Sequence, residues 1–147
     1  MGLDIHVTVA ALVVRDHRFL CVEEMVGGRL VINQPAGHLE AHESLLQAVV
    51  RETCEETAWD FVPRALLGVY HYTSAHDVTY MRFTFLGDVT THHPKQALDK
   101  GIQRALWLTR AELLSCVDRH RGPQVMRTVL DYERGRRYPL DALVSPL

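Results

Sequence analysis

Apolar and polar positions along this chain follow two periods. Residues 6–14, HVTVAALVV, are rich in β-branched side chains and nearly continuous in apolar character, which predicts a buried strand. Arg15-Asp16-His17 is a short turn, and residues 18–25, RFLCVEEM, read as the hairpin partner. Glu23 and Glu24 near its end read as sheet-edge charges, with added acidity near a site as the other reading. Gly27-Gly28 predicts the next turn. Residues 30–32 predict a short strand, and residues 33–36 lead into Gly37, from which a loop runs into a helix.

The period then changes. Ser44, with Gln47 three residues on, predicts a capping box and a helix beginning near Ser44. Leu46, Val49, Val50, Thr53 and Thr57 form a stripe that faces a core. Pro63 predicts a connection. Residues 65–73, ALLGVYHYT, and 78–89, VTYMRFTFLGDV, predict a pair of strands joined by a turn at residues 74–77. Residues 90–100 predict a polar loop, and residues 102–108 a short strand. Thr109 with Glu112 predicts a second capping box, and Pro123 opens a last helix that Gly135 stops. Strands before and after a central helix, with further helices late, predict an α+β domain with helices on both faces of a mixed sheet.

The 147 residues predict a single domain over 1–147, long enough to bury a core. A net charge of −2 supplies no electrostatic footprint for nucleic acid or an anionic membrane. No apolar run approaches the roughly 20 residues of a spanning helix. The N-terminus, MGLDIHVTV, lacks the basic region and apolar run of a secretory signal. Cys21, Cys54 and Cys116 are odd in number and widely spaced, which predicts reduced thiols and a cytoplasmic protein. Composition leaves the oligomeric state open.

The chemistry concentrates between Gly37 and Trp59. At roughly 100° per residue, Glu52, Glu55 and Glu56 share one side of the central helix, over Leu45 and Ala48. Like charges at such spacing weaken a helix, and Arg51 pairs with Glu55 or reaches Glu43 without neutralising them all. Mg²⁺ would: it takes oxygen ligands and is shared between carboxylates and substrate phosphates. A solvated acidic surface is the plain alternative. His38 and His42 flank a loop and carry no H-E-x-x-H pattern, so zinc is not expected.

The full pattern is Gly37, Glu43, Arg51, Glu52, Glu55 and Glu56, a G-x5-E-x7-R-E-x-x-E-E run. It resembles the signature box of the Nudix hydrolases. Thr53 stands where an aliphatic residue is usual, and Ala58 where glycine is usual. Ala58 therefore predicts a strained or altered helix end. Further segments (HVTVA, FLCVEE, NQPAGHLE and RYPL) resemble a bacterial phosphatase branch of that family.

The resemblance implies a Nudix-type α/β/α sandwich with a mixed β-sheet. It implies a hydrolase using Mg²⁺, or Mn²⁺, with Glu52, Glu55, Glu56 and the Ala36 carbonyl as metal ligands. Glu43 and Arg51 would hold the loop against the helix. The small-molecule substrate implied is a nucleoside di- or triphosphate, thiamine pyrophosphate or its hydroxymethylpyrimidine pyrophosphate precursor, cut at the terminal phosphate. A housekeeping pyrophosphatase and a non-catalytic nucleotide-sensing module are the alternatives.

Candidate substrate contacts are Gln34, Gly37, His38 and Tyr72, with Tyr80 as another aromatic face. Arg82, Arg29 and Arg137 are candidate phosphate cations, each with a plainer reading as a surface arginine. Asp99 is the later candidate for a general base, and reads more simply as a loop carboxylate.

Overall fold

The computed structural model describes residues 4–146. Residues 1–3 of the N-terminal segment and Leu147 of the tail lie outside them. Strand β1 (Ile5–Arg15) runs through the middle of the sheet and is fully buried from Thr8 to Val13. Its side chains alternate between two cores. Val9, Ala11 and Val13 pack with Leu20, Ala48, Val49 and Phe85 on one face. Leu12 packs with Phe19, Ile32, Leu113, Val125 and Val129 on the other. A run with no polar partner position is thus explained by burial on both faces.

The other strands are β2 (Arg18–Val26), β3 (Arg29–Asn33), β4 (Ala36–His38), β5 (Trp59–Thr73), β6 (Thr79–His92) and β7 (Ile102–Thr109). The path is β3-β2-β1-β6-β5, with β4 paired to β1 and β7 to β2. β1 and β6 are parallel and the other pairings antiparallel, so the sheet is mixed. The β1–β2 turn holds Asp16 and His17 at φ 51° and 60°, the twist that a tight hairpin requires.

Helix α1 (Leu45–Thr57) covers one face; α2 (Arg110–Ser115) and α3 (Gln124–Glu133) cover the other. The result is an α/β/α sandwich. Ser44 caps α1 with the expected box: its hydroxyl accepts the Gln47 N–H at 3.1 Å, and Gln47 Oε1 accepts the Ser44 N–H at 2.8 Å.

Several expectations change. The segment around Gly37 is not simply a loop: Asn33 ends β3, and Ala36–His38 form β4, with Ala36 opposite Ala10. Pro63 lies inside β5 rather than between elements. It is tolerated because β5 ends the sheet and its register shifts between Pro63 and Ala65. The polar loop begins later, because β6 continues to His92. On α1, Val50 leaves the stripe and is exposed, while Ala48 enters the core. Thr53 and Thr57 remain in it because their hydroxyls donate to Val49 O and Thr53 O.

Ala58 ends α1 at φ 60° and ψ 22°, in the left-handed region. Its N–H still donates to Cys54 O at 2.9 Å. A Cβ in this region costs about 1–2 kcal/mol. Ala58→Gly is expected to stabilise by about 1 kcal/mol, a rise of roughly 3 °C in melting temperature for a domain of this size. Thermal unfolding by circular dichroism checks it, and a lowered melting temperature would contradict it.

Candidate active site

Arg51 on α1 holds the site together. Its Nε donates to Glu43 Oε2 at 3.0 Å, and Nη2 donates to Glu43 Oε1 at 2.6 Å and His38 O at 3.0 Å. Nη1 donates to Glu52 Oε1 at 2.8 Å and Glu55 Oε2 at 3.2 Å. All five N–H donors of the guanidinium are used. Glu43 in turn accepts the Glu40 N–H at 2.8 Å, which folds the loop back on itself. The Arg51 fork holds the Glu43 carboxyl below the usual carboxylate range. The same contact raises the pKa of the guanidinium.

Gly37 lies directly under Glu52. A Cβ at Gly37 would overlap the Glu52 carboxyl, so only glycine lets β4 and α1 approach this closely. Glu52, Glu55 and Asp99 bring one carboxylate oxygen each within 4.8 Å of one another. Asp99 is not a free loop carboxylate as expected. Its backbone N–H donates to Glu55 O at 2.9 Å, which fixes the loop against the last turn of α1.

Three oxygen-donor carboxylates, converging and partly exposed, suit a hard divalent cation. Burial first, and mutual repulsion after it, raises the pKa of Glu52 and Glu55. Glu56 is buried in the same cleft, and its Oε1 accepts the Ala36 N–H at 2.9 Å. It stands outside the triangle of Glu52, Glu55 and Asp99. Burial pushes its pKa from 4.5 up to about 8, against the pull of that N–H, with Glu52, Glu24 and Asp99 adding to the rise.

A cleft of about 850 Å³ opens beside these groups. Gly37, His38, Tyr72, Tyr80 and Arg82 all border it. Arg82 is not a surface arginine. It is 2% exposed, and its hydrogen-bond acceptors are neutral amides: Nη2 donates to Gln34 Oε1 at 2.9 Å, and Nη1 meets Asn33 Oδ1 at 3.4 Å. Burial lowers its pKa. Gln34 does not line the cleft. It lies behind Arg82, with its Nε2 donating to Val125 O at 2.9 Å, and it steers the guanidinium.

Arg29 borders the cleft and donates through Nη2 to Asp118 O. Arg137 lies away from it, in a small pocket with Arg64 and Asp88. Glu23 is buried and paired with Arg104 and Arg119, because β2 is flanked by β3 and β7 rather than lying at an edge. Glu24 faces the cleft, as the second reading of that pair proposed. Buried Thr8 and Gln124 and half-buried Asn33 escaped the sequence reading, since nothing in their local pattern marks a polar residue that folding will bring to the cleft.

A domain model described as "NUDIX domain" matches residues 4–132. The chain is 36% identical to Phosphatase NudJ of Escherichia coli K12 over 138 residues, which is 94% of this chain and 90% of that one. A NUDIX hydrolase from Nitrosomonas europaea superposes with a TM-score of 0.96 at 46% identity, covering 97% of this chain and 98% of that one. A bifunctional NMN adenylyltransferase/ADP ribose pyrophosphatase from Francisella tularensis, complexed with AMP and a Mn ion, superposes at 0.71 with 23% identity. It shares the fold over 90% of this chain and 42% of its own.

The Glu56 shift has a sign that can be tested. Between pH 4.5 and 8 the folded chain keeps a proton on Glu56 that the unfolded chain has lost. Stability of the metal-free protein therefore falls as pH rises through that window. Glu56→Gln removes this loss and still accepts the Ala36 N–H. Its melting temperature relative to the parent, in metal-free buffer, is expected to increase steadily from pH 5 to 8. A constant difference would mean that Glu56 ionises normally.

Proposed function

The chain belongs to the Nudix hydrolase family, and on that footing we propose that it is a Mg²⁺-dependent phosphohydrolase acting on small diphosphate and triphosphate esters. The proposed substrates are nucleoside di- and triphosphates, and thiamine pyrophosphate or its hydroxymethylpyrimidine pyrophosphate precursor. The bond cut is the one to the terminal phosphate. The convergence of Glu52, Glu55 and Asp99, with Glu52 also in the wall of the cleft, carries this reading. Similarity to Phosphatase NudJ supports the choice of bond.

A phosphoanhydride resists attack because its negative charge repels a nucleophile, so catalysis must offset charge and position a water. A divalent ion held by Glu52, Glu55 and Asp99, with Glu56 and the Ala36 carbonyl beside them, would supply the positive charge and acidify water. Arg51 and Glu43 act by position: they set the angle of Glu52 and Glu55 and fix the His38 carbonyl. Gly37 keeps the carboxylate wall close to the β4 backbone. His38, Tyr72 and Arg82 border the space for the rest of the substrate. Glu56, which a cation bound beside it would bring to its ionised form, is the group assigned to accept the proton from water. No helix among the described residues is long and apolar enough to cross a membrane. The three free cysteines support a reducing, cytoplasmic setting.

Two measurements test this reading. Glu55→Gln keeps the shape of the site but removes a charge. It is expected to weaken Mg²⁺ or Mn²⁺ binding by calorimetry and to lower kcat at least tenfold, about 1.4 kcal/mol of transition-state stabilisation. Full activity would reject the assignment. Hydrolysis of CTP in ¹⁸O-water is expected to label orthophosphate, with the nucleoside diphosphate as first product. Pyrophosphate as first product would reject terminal cleavage.

A further inference from the structure

The cleft has a second end, bounded by β1, β6 and the start of α3. Three buried polar atoms there have no hydrogen-bond partner: Thr8 Oγ1, Arg82 Nε and Gln124 Oε1. All three residues border the cleft. Thr8 and Arg82 are register partners on neighbouring strands, so they sit side by side. Buried polar groups are almost always paired, and the unpaired ones need a reason. Here the reason is common to the three, because they share one cavity.

The surrounding residues hold these atoms in place. Gln34 takes Arg82 Nη2, Asn33 lies beside Nη1, and Nε is the guanidinium nitrogen with no partner. Gln34 is itself tied to Val125 on α3, next in sequence to Gln124. Gly122 makes room for the Gln124 amide: a Cβ there would overlap its Oε1. Beside them Tyr72 stacks on Tyr80, with ring centroids 5.3 Å apart and planes 20° apart, and both rings border the cleft.

We propose that this end of the cleft reads the edge of a flat nitrogen heterocycle of the nucleobase type. A ring nitrogen or carbonyl accepts from Arg82 Nε–H, and a ring N–H or amine donates to Gln124 Oε1. The Thr8 hydroxyl completes the set, and Tyr72 and Tyr80 supply an apolar wall. A second phosphate would satisfy Arg82 but would press its oxygens against the Gln124 carbonyl. A mixed donor and acceptor set fits a heterocycle edge. This deepens the phosphohydrolase reading and rests on it: the phosphates reach the acidic wall while the ring is held at the far end. Gln124 and Thr8 then determine specificity without touching the reacting bond.

The test compares kcat/KM on CTP, UTP, ATP and GTP with kcat/KM on inorganic tripolyphosphate, which has no ring. Calorimetric binding of the four nucleoside 5′-monophosphates in metal-free buffer accompanies it. Gln124→Leu is expected to lower the ratio of the best nucleotide to tripolyphosphate about tenfold, and to weaken the monophosphate to a similar degree. Gly122→Ala keeps every polar group but displaces the amide, and is expected to act in the same direction. Thr8→Val, which conserves volume, gives a smaller loss.

An unchanged ratio and unchanged binding in both Gln124→Leu and Gly122→Ala would overturn the proposal. So would wild-type protein that binds none of the monophosphates. If the wild type binds a monophosphate yet hydrolyses nothing, the phosphohydrolase reading falls, and the binding losses in the variants still decide the subsite.

Discussion

The site depends on one side chain with every donor committed. Arg51 sits where α1 faces the incoming loop, and its five N–H groups reach Glu43, Glu52, Glu55 and the His38 carbonyl. Without it, three carboxylates would crowd one helix side and the loop between β4 and α1 would lose its side-chain tie to the helix. Lysine could not take its place, because a point charge with three donors cannot form the two-pronged contact with Glu43. The glycine below Glu52 serves the same end from the other side. Arg51 draws the carboxylates together and Gly37 lets the backbone come up to them.

The cleft therefore has two unlike ends. At one, converging carboxylates repel each other and sit partly out of water, which raises their proton affinity. At the other, a buried guanidinium donates to neutral amides and leaves its Nε without a partner. β1 joins them. Thr8 pairs with His38 on one side and with Arg82 on the other, so a single strand register fixes the distance between the acidic wall and the cation. A shift by one residue would exchange both cores and both ends at once.

Features that depend on near neighbours in the chain were legible in the sequence. The Ser44 capping box, the Arg51–Glu43 pair and the buried run of β1 follow from spacing and residue type, and the left-handed Ala58 from the resemblance, which puts glycine at that position. Features that depend on distant segments meeting were not. Asp99 looks like any loop acid until its backbone docks on the end of α1. The alternation along β6 marks Arg82 as facing a given side, but not that this side is closed by α3 and Gln34. Pro63 was misread because a proline ends most strands. A sheet-end strand with a shifted register can carry one. Glu23 was misread because charge suggests an edge, and its two arginine partners come from β7 and the turn after α2.

That shift in β5 bears on how the protein behaves among its own copies. A strand at the end of a sheet offers a row of unpaired backbone groups on which another chain can add. Here the row is interrupted. Pro63 has no N–H to give, the register slips at three places along the strand, and Leu66 is already bridged in both directions to Tyr138 from the C-terminal segment. A long exposed strand that would otherwise seed accretion into fibres is broken into pieces too short to template a neighbour. The irregularities that make β5 hard to read also protect the protein against aggregation.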